Sequence, residues 1–331
     1  MSTSTVSNAA HRPSFRASQH LNEIGLLVVI VLLYILFGTT TTGFFTFANQ
    51  MNILRDASAI GIAAWGATMI IIAGEIDVSV GPMVAFISVI FAYLIQFGTP
   101  LFLAIGAALI LGIVLGAVAG VLRAMFNVPS FIATLGLWSA LRGLALFISN
   151  ALPVTFGESD FLDALGDNVL GVPCSAIVML VLFVAFLFVS RKTAYGRSAF
   201  AIGGNANAAA LCGINVKQVR ILLFAVAGLL AGISGVILTA RLGSGNAGAA
   251  SGLEFDVIAA VVVGGTALSG GRGSMSGTLL GVLVITLIGN GLVLMGVNPF
   301  FQQVVRGFII VIAVLVNISL SKHGARRSAR A

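Results

Sequence analysis

Long apolar stretches alternate with short polar connections along almost the whole chain. Ten of the stretches approach or exceed the length that a helix needs to cross about 30 Å of hydrocarbon. They lie at residues 24–42, 53–73, 80–97, 100–121, 129–150, 172–190, 220–241, 255–269, 275–296 and 299–320, and the eighth is short. The pattern predicts an all-α membrane protein of about ten transmembrane helices.

Composition agrees with this prediction, and the distribution of charge adds an orientation. The chain has 331 residues, of which 59% are hydrophobic and 8% charged, whereas a soluble domain carries about 25% charged residues. The net charge of +7 does not indicate a nucleic-acid partner, because the basic residues cluster at the ends of the spans. If the amino terminus is cytosolic, all of the 17 Lys and Arg residues except Arg55, Arg142, Arg241 and Arg306 fall on the cytosolic side, as the positive-inside rule requires.

The predicted outer loop, residues 151–171, carries only acidic charge. It holds Glu158, Asp160, Asp163 and Asp167 and no basic residue, which supports the same orientation. We therefore expect a transmembrane domain of residues 24–320 between two cytosolic tails, residues 1–23 and the basic residues 321–331. The first apolar run is too long for a signal-peptide core and is interpreted as an uncleaved span.

Motifs for enzymatic chemistry fail in their context. A GxGxxG match at residues 243–248 follows a membrane span rather than a strand, and the P-loop spacing from Gly265 to Gly271 has glycine where lysine is required. The three histidines lie in the polar tails, and Cys174 and Cys212 have no metal-ligating neighbours. The sequence therefore predicts no catalytic residue, no cofactor site and no metal site.

One substantial loop, residues 191–219, lies on the predicted cytosolic side and contains a short helix. Asn205 is placed to cap a helix over residues 206–211, and Gly213 is placed to end it in the left-handed conformation. A helix of about two turns is not stable alone in water. It either packs on the membrane domain alone or also transmits force from a cytosolic partner.

Five segments together resemble a known family. They are GEIDVSVGP from residue 74, PSFIATLG from 129, GRSAFAIGGNANAAALCGINV from 196, GLEFDVIAAVVVGGTALSGGRGSMSGTLLG from 252 and NGLVLMGVNPFFQQVVRG from 290. In this order they make the chain after residue 20 similar to the permease subunit of bacterial ABC sugar importers of the ribose type. The resemblance implies the fold of ABC importer permeases.

The resemblance also implies partners. Two permease chains, identical or sister, would lie among the lipids of the bacterial inner membrane on two cytosolic ATPase subunits, which bind ATP and Mg²⁺. A periplasmic binding protein would deliver a monosaccharide, namely a ribose-like pentose, a hexose or a related sugar. In that family the loop between the sixth and seventh spans bears the helix that couples to the ATPase. The matching residues here are Gly196, Arg197, Gly203, Gly204, Asn205, Ala208, Ala209, Gly213 and Ile214.

Acidic residues inside the apolar chain indicate the translocation path, because intramembrane acids are costly and usually line a path or hold a moving joint. Two segments read Glu, apolar residue, Asp, Val, one between spans two and three and one before span eight. They favour division of the ten spans into an inverted five-plus-five repeat. The predicted pathway residues are Glu75, Asp77, Ser79, Glu254, Asp256, Asn290 and Gln302.

The sequence leaves alternatives open for these acids and for the function. Four arginines in or near the spans offer each acid a structural ion pair instead of a sugar contact; they are Arg55, Arg142, Arg241 and Arg306. An ion-coupled secondary sugar carrier, with Asp77 or Glu254 as its proton or ion site, is the rival to an ATP-driven importer. A membrane scaffold without transport is the third alternative.

Overall fold

Helices dominate the computed structural model, which describes residues 15–157, 159–169 and 171–329, with side chains except at 15–21, 313 and 316–329. Two antiparallel pairs of short strands connect them, β1 (Val154–Thr155) with β4 (Ser244–Gly245) and β2 (Asn168–Val169) with β3 (Val172–Pro173). The helices are α1 (Phe15–Thr40), α2 (Phe47–Ile72), α3 (Val80–Gln96), α4 (Leu101–Met125), α5 (Ser130–Ile148), α6 (Asp160–Gly166), α7 (Cys174–Lys192), α8 (Ala194–Gly204), α9 (Ala206–Leu211), α10 (Val216–Leu242), α11 (Leu253–Val263), α12 (Met275–Leu294) and α13 (Pro299–Ala329).

Each of the ten predicted apolar runs corresponds to a helix, so the prediction of an all-α membrane protein is confirmed. Within the described residues, seven helices are long and apolar enough to cross a membrane. Helix α3 and the first part of α13 are shorter apolar helices, and α11 occupies the run that was expected to be short. Glu158 of the acidic loop, and residues 1–14 and 330–331 of the predicted tails, lie outside the described residues.

Helices α4 and α10 cross closely because glycines face each other along their contact. A Cβ at Gly116 would collide with the carbonyl oxygen of Phe224, and one at Gly112 would collide with that of Gly228. Small residues at such a crossing let two membrane helices approach until their backbones touch. This contact joins the fourth span to the seventh.

The second span is followed by a non-helical segment, residues 73–79, which enters the bundle from the face that carries α8 and α9. We call this the connector face. The amide of Ile76 donates to Ser130 Oγ (3.1 Å) and that of Val78 to Thr134 Oγ1 (3.3 Å), both on α5. These hydroxyls satisfy backbone groups that have no helical partner. Helix α3 therefore begins inside the bundle rather than at its surface.

A loop at residues 243–252 enters the bundle from the opposite face. The amide of Asn246 donates to Ser88 Oγ on α3 (3.1 Å). Arg142 on α5 donates to two carbonyl oxygens of the same loop. Arg142 thus satisfies the backbone of this loop, a role that the sequence did not indicate.

Helix α11 begins near the middle of the bundle. Its second residue, Glu254, accepts a hydrogen bond from Trp138 Nε1 on α5 (2.8 Å). Trp138 follows Ser130, the first residue of α5, by eight positions, which corresponds to about 12 Å along a helix. The loop after α11 reaches the connector face, where Gly271 lies against α8. The eighth span is therefore a half-length helix whose amino terminus lies at mid-membrane depth.

The two Glu-x-Asp-Val segments differ in their position relative to the following helix. Glu75 and Asp77 precede α3, whereas Glu254 and Asp256 lie in the first turn of α11. The interpretation that the two segments occupy equivalent positions is therefore wrong, because one lies before its helix and the other lies within it. A short sequence match does not fix where a helix begins, because capping and tertiary contacts decide it. The two interrupted spans nevertheless enter from opposite faces, as in transporters built from inverted repeats.

Candidate functional site

The connector loop, residues 191–219, forms the two short helices of the connector face. Thr193 caps α8 and Asn205 caps α9, each through a side-chain oxygen that accepts from a backbone amide, at 3.1 Å and 3.0 Å. Gly213 then adopts a φ of +85°, which glycine tolerates without strain. The predicted cap, short helix and glycine stop are confirmed.

One side of the connector loop packs on the bundle. Ile202 and Ala209 are buried. Gly203 lies between the carbonyl oxygen of Ile72 and the amide of Gly271, where a Cβ would collide with both. That amide donates to the same carbonyl oxygen (2.8 Å). Helix α8 therefore contacts the end of α2 and the loop after α11 together.

The other side of the connector loop is exposed. Leu211 in α9 is 90% exposed, which is unusual for a large apolar side chain at the end of a folded helix. Sequence reasoning missed it, although it is the one large apolar residue among the alanines of α9. Of the predicted coupling residues, Gly196 and Ala209 are buried, Gly203 and Ile214 half-buried, and Arg197, Gly204, Asn205, Ala208 and Gly213 exposed.

Tyr195 in α8 places its hydroxyl in the packed side of the connector loop. Among the described residues this hydroxyl has no hydrogen-bond partner. Burial raises the pKa of Tyr195 above its ordinary value, because the phenolate would lose its hydration. The ring of Tyr195 therefore contributes to packing, whereas burial of its hydroxyl without a partner among the described residues costs stability.

Glu75 forms a buried ionic cluster at the connector face. Both of its carboxylate oxygens accept from Arg123 Nε on α4, at 2.9 and 2.8 Å. Arg220 Nε on α10 lies 2.7 Å from Oε1, and the Glu75 side chain is only 3% exposed. Neither arginine was among the four proposed from the sequence, because both had been assigned to the topology signal. The cluster ties segment 73–79 to α4 and α10.

Asp77 and Ser79 bond to each other inside the bundle. The carboxylate of Asp77 accepts from the amide of Ser79 (2.8 Å) and from its hydroxyl (2.6 Å). Ser79 is the residue immediately before α3. A carboxylate at the amino end of a helix is favourably placed relative to the helix dipole. These two predicted pathway residues therefore stabilise the start of α3.

Glu254 is enclosed where the first turns of α3 and α11 meet. Its Oε1 accepts from Trp138, whereas among the described residues Oε2 has no hydrogen-bond partner. A Cβ at Gly81 of α3 would collide with this oxygen. Gly81 therefore permits the close approach of the two interrupted spans.

A cavity of about 600 Å³ lies between α2, α11, α12 and α13. Three of the seven predicted pathway residues line it, namely Asp256, Asn290 and Gln302. The other four, Glu75, Asp77, Ser79 and Glu254, do not. The structure thus separates the predicted set into a cavity group and a group buried in helix junctions.

Two ion pairs lie in the cavity wall. Asp256 Oδ2 lies 3.0 Å from Arg306 Nη1, with side chains 12% and 39% exposed. Asp56 Oδ1 lies 2.9 Å from Arg241 Nη2, with side chains 48% and 36% exposed. The sequence had offered Arg241 and Arg306 as partners for acids, but it had not identified Asp56. Because the two acids and two arginines cancel, the charged groups of the cavity wall sum to zero.

An amide pair stiffens the same wall. The Nδ2 of Asn49 on α2 donates to Asn290 Oδ1 (3.1 Å), and Asn290 Nδ2 donates back to Asn49 Oδ1 (2.9 Å). This reciprocal pair joins α2 to α12, the interhelical role expected of amides in membranes. Gln302 donates through Nε2 to the carbonyl oxygen of Val297 (2.9 Å). The Asn290 amide is therefore occupied by Asn49.

Comparison with known proteins identifies relatives over nearly the whole chain. A family model described as the permease component of branched-chain amino acid transport systems matches residues 49–314. The chain is 68% identical over 309 residues to the probable ABC transporter permease protein YphD of Escherichia coli strain K12, and 93% of each chain is covered. No solved structure matches the chain.

Two further relatives carry sugar names. The chain is 39% identical over 321 residues to the ribose import permease protein RbsC of Escherichia coli strain K12, covering 96% of this chain and 99% of the relative. It is 36% identical over 297 residues to the L-arabinose ABC transporter permease protein AraH of Azospirillum brasilense, covering 90% and 88%. The family match, at residues 49–314, includes the connector loop and the helices around the cavity as far as residue 314.

Proposed function

We propose that the cargo of this chain is a monosaccharide. The chain belongs to the branched-chain amino acid transport system permease family and is a permease subunit of an ABC importer. It is a multi-pass protein of the inner membrane and not an enzyme. The relatives named for ribose and L-arabinose support a sugar, and so does a cavity whose charged groups cancel and whose wall carries amides. Neutral polar walls suit hydroxyl-rich cargo, which hydrogen-bonds without bringing charge into the membrane.

The cargo is tested by uptake into proteoliposomes that contain this permease with its ATPase and binding protein. Radiolabelled D-ribose, L-arabinose and D-xylose are compared with L-leucine, which the family description raises as the competing class. Accumulation of at least one sugar that requires ATP supports the proposal. Accumulation of L-leucine without any sugar would overturn it, and sugar uptake that persists without ATP would indicate the ion-coupled carrier.

The exposed side of the connector loop is the proposed docking surface for the ATPase. ATP and Mg²⁺ belong to that partner in this proposal, and this chain binds no cofactor of its own. Leu211 supports the proposal, since an apolar side chain that is 90% exposed at the end of a well-capped helix gains stability when a partner covers it. Helix α8 would pass motion from the ATPase to the end of α2 through Gly203.

Substitution on the two sides of the loop tests this docking surface. Leu211→Asp should abolish co-purification with the ATPase while the permease itself stays monodisperse, because the change lies on the exposed side. Ala209→Asp should instead unfold the loop, since Ala209 is 4% exposed within its own chain and an unpaired charge would be buried. Leu152→Asp, at a 66% exposed leucine of the outer loop, is the matched control. Normal ATPase binding by Leu211→Asp would refute the assignment.

We propose an orientation with both termini and the connector face in the cytosol. The arginines and lysines of the connector loop and the acid-only outer loop support it. A cysteine at Asp163 should react with an impermeant thiol reagent from the periplasm, whereas one at Arg197 should not. The opposite labelling would invert the topology.

The second permease of the importer is either a copy of this chain or a sister chain, and cross-linking of a tagged with an untagged copy distinguishes the two.

A further inference from the structure

The Asp256 and Arg306 pair keeps free hydrogen-bonding capacity next to an open space, and its carboxylate is 12% exposed, against 48% for that of the Asp56 and Arg241 pair in the same wall. Asp256 uses Oδ2 for the ion pair, and its Oδ1 has no partner among the described residues. Arg306 contributes Nη1 to the same pair. Its other guanidinium N–H groups bond to no described residue. One acceptor and several donors are therefore adjacent at the cavity.

By contrast, the carboxylate of the Glu75 cluster has both of its oxygens occupied. Arg123 contacts both oxygens of that carboxylate and Arg220 contacts one again. The Glu75 side chain is 3% exposed, against 12% for Asp256 and 39% for Arg306. The Asp256 pair is therefore placed to exchange part of its bonding with a molecule that enters the cavity.

The backbone holds this pair at depth. Gly252 has a φ of +83° and immediately precedes α11, so Asp256 falls in the first turn of a helix that starts inside the bundle. The helix dipole stabilises a carboxylate there. Arg306 comes from α13 and lies over the same turn, with Nη1 3.7 Å from where a Gly252 Cβ would be. Two spans thus present one carboxylate and one guanidinium group at the same level.

We propose that the Asp256 and Arg306 pair is a sugar-binding dyad in the cavity, and that it recognises two adjacent hydroxyls of a neutral sugar. This inference rests on the proposed function. One hydroxyl donates to Asp256 Oδ1, and its neighbour accepts from the Arg306 guanidinium, a charge-assisted arrangement stronger than bonds between neutral groups. The dyad selects against charged cargo, because an added anion or cation would leave one charge unbalanced in a wall that otherwise sums to zero.

The volume of the site agrees with this ligand class. A space of about 600 Å³ lies in the range of small-molecule sites, roughly 300–1,000 Å³, and leaves room for a monosaccharide with water. The more exposed Asp56 and Arg241 pair lies in the same wall and would be met first from the opposite face. The sugar passes this outer pair before it reaches the dyad.

Cysteine protection tests the site directly. In a background carrying Cys174→Ala and Cys212→Ala, Val305→Cys places a thiol in the cavity wall and Asp163→Cys places one on the outer loop. The assembled importer in proteoliposomes is treated with an impermeant methanethiosulfonate reagent, with or without D-ribose, L-arabinose or D-xylose. A transported sugar, at about ten times its Kd, should slow modification at Val305→Cys roughly tenfold and leave Asp163→Cys unchanged.

Variants of the dyad assign the protection to the pair. In the Val305→Cys background, Asp256→Asn and Arg306→Lys should each lose the protection. The lysine keeps the charge but not the planar fork of donors, and it provides a second variant if Asp256→Asn fails to assemble. Asp160→Asn, an equivalent change in the exposed outer loop, should keep full protection.

Three outcomes would overturn the inference. If the importer accumulates a sugar that does not slow modification of Val305→Cys, the assignment of the dyad is wrong while the proposed function stands. If D-ribose 5-phosphate protects as well as D-ribose, the neutral-cargo statement is wrong. If no sugar is accumulated and L-leucine is, the proposed function fails, and the site for a sugar fails with it.

Discussion

The Glu75 cluster makes the sharpest prediction about stability. In Glu75→Gln the side chain keeps its volume and one carbonyl oxygen, but the charge that faces Arg123 and Arg220 is removed. The two guanidinium groups then face each other at the connector face, with side chains only 23% and 16% exposed. Repulsion between them and loss of two charge-assisted contacts both act against the folded state.

The expected loss follows from the burial of this cluster. Removing one partner of a buried ion pair costs about 3–5 kcal/mol, whereas an exposed pair contributes about 0–1 kcal/mol. With a shift of roughly 2–4 °C per kcal/mol for a chain of this order of size, Glu75→Gln should lower the melting temperature by roughly 6–12 °C at the lower bound of that cost. The matched control is Asp56→Asn, whose pair has side chains 48% and 36% exposed, and it should shift the temperature little.

Size-exclusion chromatography of detergent-solubilised protein, after heating over a temperature series, measures both variants. The double variant Glu75→Gln, Arg123→Gln should recover part of the loss, because one of the uncompensated charges is gone and the two changes are coupled. Equal small shifts for Glu75→Gln and Asp56→Asn would show that the cluster is solvated. In that case the reasoning from burial would be refuted.

Further substitutions test individual packing contacts. Gly116→Val should prevent assembly of the bundle, since its Cβ meets the Phe224 carbonyl oxygen, while Gly106→Ala, with no atom within 4 Å of its Cβ, should be tolerated; membrane yield and monodispersity report both. Trp138→Phe should cost about 1–3 kcal/mol, as it removes the hydrogen bond to a buried carboxylate, and a melting curve checks it. Tyr195→Phe should leave the melting temperature unchanged or raise it, because it deletes a buried hydroxyl that lacks a partner among the described residues. Asp77→Asn keeps an acceptor for Ser79, so it should insert and bind the ATPase; we expect slower sugar uptake or uncoupled ATP hydrolysis, and normal uptake would refute a role in translocation.

The sequence predicted the spans well because hydrocarbon imposes a simple requirement. Inside a bilayer each backbone group must be bonded within its own helix or by a neighbour, so apolar runs of sufficient length become helices. The cap at Asn205 and the stop at Gly213 were likewise predictable, since both depend on residues within one turn. The short eighth run was visible in the pattern, although its half-length helix at mid-membrane depth was not.

The partners of the acidic residues depended on tertiary structure. Glu75 meets Arg123 and Arg220, and Asp256 meets Arg306, across long separations in the chain. Hydropathy records how strongly each residue avoids water, but not which neighbour satisfies it. For this reason the match between the two Glu-x-Asp-Val segments wrongly suggested that they lie at equivalent positions relative to the following helices.

The division of the predicted pathway residues was also decided by packing. Asp77 and Asp256 are the same residue type in the same local motif. One stabilises the start of α3 through Ser79, whereas the other lies beside a cavity that four helices enclose. Local sequence determines the helices and their ends, because those bonds are short-range. The cavity exists only where distant helices fail to fill the space between them, and the close contacts of the whole bundle decide where that occurs.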